Sequence, residues 1–375
     1  MRCADRRRAA LALFALTTTL AAAGCGDSLP VEDRALIMAM GIDPVGASRA
    51  DLDWTFVLPN VTATASNVGG LSPSAQVFDV RVRAPDLSTA QAKVQDMLTR
   101  RLYLGDLEAL AVGLGTPSSR VRAVMADLVQ LGDVPDSFVV VATPDPVSRL
   151  LTLVTRQDVI PRYFLTTYVN CQGCHRFDWR ILGWRWWASS QTPGDVPRAL
   201  VLRIKGSNLV VAGMAVYRSG PEPARVMTPD ATDGLGYLTG RAAMAVVTGV
   251  VGGRRISITR VRDTARAIAR LHGGRVAVAV NLRVRGTLTS QESLGDETVL
   301  VRTAQDLVAR DVLHDVTAAL RWANAERCDP FGYTAQALLA EPRLAYALPH
   351  GAEVWYPIDA RVTVQAEVTS AGTAE

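Results

Sequence analysis

The sequence predicts an α+β fold of several domains, with mixed and antiparallel sheets, packed helices and one long helix laid across a carboxy-terminal sheet. Three observations carry this reading. Val276, Val278, Val280, Leu282 and Val284 alternate with period two, which buries one face of a strand and leaves the other wet. Val308, Val312, Val316, Leu320 and Ala323 recur at helical spacing between Arg302 and Arg327, a helix of ~37 Å at ~1.5 Å per residue. In the first half, short apolar runs alternate with helical stretches, as in a layered α and β domain.

The amino terminus comes first in chain order. Arg2, Arg6, Arg7 and Arg8 precede an apolar run from Ala9 to Ala23 that only Thr17, Thr18 and Thr19 interrupt. Ala21-Ala22-Ala23-Gly24 then leads into Cys25. A charged head, a short apolar core and a small-residue exit make a secretory signal peptide. The run is shorter than the ~20 apolar residues that span a bilayer. Small residues before a cysteine resemble a lipobox, in which the thiol of Cys25 is acylated and becomes the new first residue. Lipoboxes favour Leu three places before that cysteine, where Ala22 stands here; the nearest is Leu20. The alternative is an ordinary signal peptide cut near Ala23. Residues 1–24 are thus read as signal and 25–34 as a polar tether.

Charge points away from nucleic acid. The whole sequence carries a formal +4, but residues 1–24 hold four Arg and one Asp, so about +1 remains after them. Lys93 and Lys205 are the only lysines, and the arginines lie dispersed along the sequence rather than on one stripe.

Arg34 to Asp43 is a compact apolar segment that reads as a buried strand and turn, and Leu52 to Leu58 as a second strand. Residues 59–76 are rich in Asn, Thr, Ser and Gly and read as a loop, and Gln76 to Arg83 as a strand. Ser88, with Gln91 three places on, fits a helix N-cap, with Ala90, Val94, Met97 and Leu98 following at helical spacing. Leu107 to Leu114 and Ser137 to Ala142 read as strands buried on both faces, with a helix from Val121 to Leu131 between them. Residues 156–198 differ in texture, holding Trp179, Trp184, Trp186 and Trp187 beside two cysteines. A domain boundary is expected near residue 200, giving 35–199, with 156–199 as connector, and 200–375. The second half offers strands at Leu209 to Tyr217, Arg255 to Val261, Arg275 to Arg285 and Ala360 to Val368.

The sharpest chemical motif is Cys171-Gln-Gly-Cys174-His175. It fits covalent c-type haem, where two thiols meet the vinyl groups and the histidine supplies an axial ligand. The alternatives are a disulfide loop in an oxidising compartment, and a zinc or thiol-exchange site, though structural zinc wants four ligands. The expected state is structural, with no bound cofactor, and haem is the runner-up. No serine elbow, P-loop, HExxH or dinucleotide fingerprint occurs. His175, His272, His314 and His350 are far apart in sequence, and His314 falls on the polar side of the long helix. Asp43 and Asp329 sit beside Gly or Pro, where Asp bonds a turn backbone. The tryptophans are read as packing, and Cys328 has no evident partner.

In order, these segments resemble the Ger(x)C family of spore germination lipoproteins. Met38-Ala-Met-Gly-Ile-Asp43 is similar to its Gly-Ile-Asp segment, and Ala90 to Leu114 to its helix and buried strand, with Asp106 where the family usually has a histidine. Asp136 to Ala142 matches a strand after a polar turn. Leu209 to Tyr217 is similar to its Gly-x-Ala-Val-aromatic strand, Gly234 to Gly240 to a Gly-Leu element, and Cys328-Asp-Pro-Phe-Gly332 to an Asp-x-x-Gly turn. Trp355 to Val368 closes the series, while Cys171 to His175 has no counterpart. The resemblance implies a non-catalytic α+β subunit of a nutrient germinant receptor. It would be lipid-anchored through Cys25 on the outer face of the cytoplasmic (spore inner) membrane, beside two integral membrane subunits. Two other readings remain: a one-haem electron-transfer lipoprotein, and a solute-binding lipoprotein, which would need two similar lobes.

Overall fold

A computed structural model describes residues 30–46, 51–59, 77–153, 164–171, 173–251, 254–289, 297–350 and 352–370. Residues 1–24, read as signal, Cys25, and residues 60–76 of the segment read as a loop lie outside them.

The first sheet has a centre of strands buried on both faces. Its order is β10-β9-β8-β7-β6-β2-β3-β4. The strands are β2 (Ala39–Pro44), β3 (Leu52–Pro59), β4 (Val77–Ala84), β6 (Ala109–Gly113), β7 (Val139–Thr143), β8 (Arg198–Lys205), β9 (Asn208–Val216) and β10 (Arg225–Val226). The central β2, β6, β7 and β8 run parallel, and antiparallel strands flank them. Every residue of β6 and β7 is buried, which is why these strands are continuous apolar runs instead of alternating ones. One face packs on α1 (Leu87–Gln95) and α2 (Ser118–Gln130) through Val94, Val124 and Met125. The other packs on α3 (Val147–Leu151), and that core continues into the carboxy-terminal half. The apolar segment 34–43 is two strands: β1 (Arg34–Leu36) leaves the main sheet to pair with β5 (Arg101–Tyr103).

Helix α1 starts earlier than its capping pattern predicts. The cap is Asp86, whose carboxylate accepts the Thr89 N–H at 2.7 Å, and Ser88 is already helical. A carboxylate there accepts an orphan N–H and is favoured by the positive end of the helix dipole. The helix ends at Gln95, so Met97 is exposed and not part of its apolar stripe.

The boundary expected near residue 200 falls inside the eight-stranded sheet. Leu200 of β8 pairs in parallel with Val141 of β7, so 198–226 complete the first sheet from beyond that point. The connector before it is core as well: α4 (Phe164–Asn170) and α5 (Gly183–Gln191) contribute buried Leu165, Val169 and Trp186.

The second sheet has the order β11-β12-β13-β14, from β11 (Ala245–Val251), β12 (Arg254–His272), β13 (Arg275–Thr289) and β14 (Ile358–Ser370). Gly273 and Gly274, at φ 55° and 72°, turn the β12–β13 hairpin, a left-handed pair that a two-residue turn demands. Strand β12 is longer than the 255–261 read from sequence. The β12–β13 pairing shifts between Thr259 and Arg262, and this bulge reverses which residues face inward, so the alternation breaks at 259–261. Past residue 261 the outer edge of β12 loses β11. Gln336 of α8 (Tyr333–Leu339) caps that edge by accepting the Ala269 N–H and donating to the Ala267 carbonyl.

Helix α7 (Glu297–Glu326) then crosses the sheet, and after α8 and α9 (Pro342–Ala347) the chain returns as β14, parallel to β13. A parallel return requires such a crossover. At 30 residues α7 is about 45 Å long, and Ala304, Val308, Val312, Val316, Ala319 and Ala323 are buried along it. Opposite α7, the outward residues of β12 to β14 stay exposed, and arginines dispersed in the sequence gather there.

Candidate functional site

Helix α4 ends at Asn170, and Cys171 and Cys174 close a turn after it as a disulfide pair. His175 follows, its Nε2 2.7 Å from the Tyr168 carbonyl oxygen and its ring 4.5 Å from the Tyr168 ring. Both sulfurs bond each other and the imidazole faces a backbone acceptor, the arrangement of a structural turn.

The next residues stitch this turn to α6 (Pro229–Leu238). Arg176 pairs with Asp233 at 2.8 Å, and Phe177 packs edge-on against Tyr237 at 5.1 Å. Trp179 lies 5.1 Å from Phe177, and Trp186 meets Tyr217 edge-on at 5.5 Å, both buried. Trp184 is the exposed member, 43% accessible, with the Arg185 guanidinium 5.0 Å above its ring. The tryptophans are mainly packing.

Helix α6 lies against α7 so closely that a Cβ on Gly234 would sit 2.1 Å from the Asp315 carbonyl oxygen. This contact buries carboxylates. Burial pushes Asp233 up to about 6 despite Arg176, and pushes Asp315 up to about 7, with Asp311 and Asp233 adding repulsion. Asp263, which accepts the Ala242 N–H at 2.8 Å, is raised by burial to about 7. A carboxyl raised in the fold binds its proton more tightly there than unfolded, so its ionisation destabilises the fold as pH rises through the folded value. The chain is therefore expected to melt several degrees lower at pH 8 than at pH 5, and Asp315→Asn to flatten that slope. Calorimetry at the two pH values checks this; a melting point that rises over the interval would refute it. The carboxyls that the fold depresses, Asp86, Asp178 and Glu353, act below this window.

Two of the clefts among the described residues bear on function. The larger, about 700 Å³, lies at the amino ends of β2, β6 and β7 and is lined by Met38, Asp106, Glu108, Asn170 and Arg180 among others. That is the end opposite to where parallel sheets usually hold ligands. The smaller, about 270 Å³, is electropositive, with Arg185, Arg198 and Arg241 against Asp195 and Trp184. Burial, then repulsion from Arg198 and Arg185, lowers Arg241 to about 10. Sequence reasoning missed this cluster because its members lie on three separate elements.

Of the remaining candidates, two aspartates hold backbone N–H groups. Asp43 accepts the Val147 N–H at 2.8 Å, and Asp329 accepts three, from Phe331, Gly332 and Thr334. Burial pushes the Cys328 thiol up to about 12, where no thiolate forms at neutral pH. His314 is exposed, 3.9 Å from Asp230. Among the described residues no group of three or more His, Cys, Asp or Glu is arranged to hold a metal ion.

Comparison with known proteins agrees with this frame. Residues 27–177 match the family model described as the spore germination protein N-terminal domain. A solved structure titled "Crystal Structure of the GerBC protein" shares the fold, with a TM-score of 0.54 at 11% identity over 88% of this chain and 96% of that one. No curated protein matches. Residues 27–177 thus match a spore germination protein N-terminal domain, and the chain as a whole shares its fold with the GerBC structure.

Proposed function

We propose that the chain is the lipid-anchored, non-catalytic subunit of a nutrient germinant receptor. Acyl chains on Cys25 hold it on the outer face of the cytoplasmic (spore inner) membrane, beside two integral membrane subunits. The observation that carries the anchor is the basic head, short apolar run and Ala-Ala-Ala-Gly exit directly before Cys25. Two acyl chains bury enough methylenes to hold a protein at a bilayer, where one is marginal. Only residues 25–33 would separate the lipid from the first strand, β1. Among the described residues no helix is long and apolar enough to cross a membrane. The non-catalytic reading rests on residues that hold structure instead of reacting: a closed disulfide turn, a protonated buried thiol and carboxylates occupied by backbone N–H groups.

The test is Cys25→Ala. The variant is expected to lose fatty-acid label and to move from the membrane to the soluble fraction with its fold intact. Label incorporated equally into parent and variant would overturn the anchor. Because partner subunits also retain the protein, the fractionation is run in cells lacking them.

A further inference from the structure

The uncovered face of the second sheet concentrates positive charge. Period-two alternation places Arg262, Arg266 and Arg270 of β12 outward, all exposed. Arg275, Arg283 and Arg285 of β13 and Arg361 of β14 join them on the same side. Asp359 and Glu367 are the carboxylates among the outward residues of these strands from 262 on, so this face carries about +5. Past the first 24 residues the whole chain carries only about +1, so the rest of the molecule is net acidic. The charge is polarised onto one surface.

That surface is built against its own stability. Arg262 stands directly opposite Arg285 across the antiparallel pair, a like-charge juxtaposition that weakens a sheet. Arg283 and Arg285 share a single acid, Glu367, at 3.8 and 2.7 Å. From residue 262 to 272 the strand runs about 34 Å, several Debye lengths at physiological salt, so it presents an extended field and no point contact. Apolar side chains lie on the same face: Ile268 among the arginines, and Val246 and Val250 on β11 at its border, 63%, 43% and 68% exposed.

We infer that this sheet face is a membrane-contact surface, and that its partner is the anionic headgroup layer of the bilayer. The face is broad, basic and edged with small apolar side chains, which complements a plane of phosphates over hydrocarbon. A basic residue within a Debye length of an anionic leaflet is attracted to it, and the attractions add. This inference rests on the reading that the chain works at a membrane, but not on the acyl anchor. The sheet would fix which way an anchored molecule leans, leaving α7 and its acidic seam facing away from the lipid.

The test uses residues 26–375, without acyl chains, so failure of the anchor at Cys25 cannot mimic failure of the sheet face. Co-sedimentation is measured with phosphatidylcholine vesicles and with vesicles holding about 30% phosphatidylglycerol, an anionic surface. The parent is expected to bind the anionic vesicles at least about tenfold more tightly than the neutral ones, and to release at ~1 M salt, where screening is nearly complete. Arg262→Gln, Arg266→Gln and Arg270→Gln together are expected to remove about tenfold of that binding. A second triple at Arg275, Arg283 and Arg361 is expected to do the same, and guards against one set failing to fold. The control is Arg302→Gln, Arg310→Gln and Arg321→Gln on the exposed side of α7, which changes net charge equally and is expected to cost less than about threefold. Equal losses from the face and control triples would overturn the inference. So would a parent that ignores anionic vesicles, which would assign the face to an acidic protein surface instead.

Discussion

Replacing Val316 with Asp is expected to unfold the carboxy-terminal half of the molecule. Val316 is fully buried on the α7 stripe, packed with Val312 and Ala319 toward β13. A carboxylate there has no partner, and Asp315 beside it is already pushed up to about 7 by burial and neighbouring carboxylates. An unpaired buried charge costs several kcal/mol, or takes a proton and leaves a desolvated polar group. Against a typical stability of ~5–15 kcal/mol, that is most of what holds a domain together. The first core continues without a break from the amino-terminal sheet into the second, so the loss is expected to spread across the chain. Urea melts followed by circular dichroism measure it. Arg310→Ala and His314→Ala, on the exposed side of the same helix, are expected to melt with the parent. A Val316→Asp protein that did the same would mean the helix face is misassigned. If the receptor reading holds, spores carrying this variant should also fail to germinate through that receptor.

Gly234→Ala is the second large effect, and its sign runs against helix propensity. In an exposed helix the change gains up to ~1 kcal/mol. Here the added methyl would lie 2.1 Å from the Asp315 carbonyl oxygen and 2.8 Å from the Ala319 Cβ. Both sit on the packed face of α7, and a backbone oxygen cannot swing aside as a side-chain tip can. The helices must part, which exposes Leu235 and Ala231 and loosens the shared core. A loss of roughly 3 kcal/mol is expected, at the upper end for overpacking. Gly132→Ala, where nothing lies within 4 Å, is the control and is expected to be neutral or slightly stabilising. A Gly234→Ala midpoint at or above that of the parent would show that α6 and α7 can separate freely.

Much of this fold was legible because its physics is local. The stripe at Val308, Val312 and Val316 and the alternation at 276–284 each report one buried face, which is a property of a single segment. The Asp329 turn was readable for the same reason, since its three acceptances all fall within five residues. The 259–262 bulge was not, because a bulge is defined by the partner strand as much as by its own residues. Nor was the Asp86 cap, where two candidates two residues apart compete and the backbone's entry angle decides.

The candidate sites divide along the same line. Sequence alone determined the basic, apolar and small-residue order ahead of Cys25, the Cys171-to-His175 motif and the family resemblance, because each is a pattern of neighbours along the chain. Tertiary structure decided that the two cysteines close a helix end, that 198–226 complete the first sheet, and that a Cβ at 234 has no room. It also decided where the arginines go. Strand pairing brings residues as distant as Arg262, Arg285 and Arg361 onto one plane, with about +5 on it, though the chain past the first 24 residues is nearly neutral. Charge is summed along a sequence but felt across a surface, and only the register of β12, β13 and β14 says which charges share one.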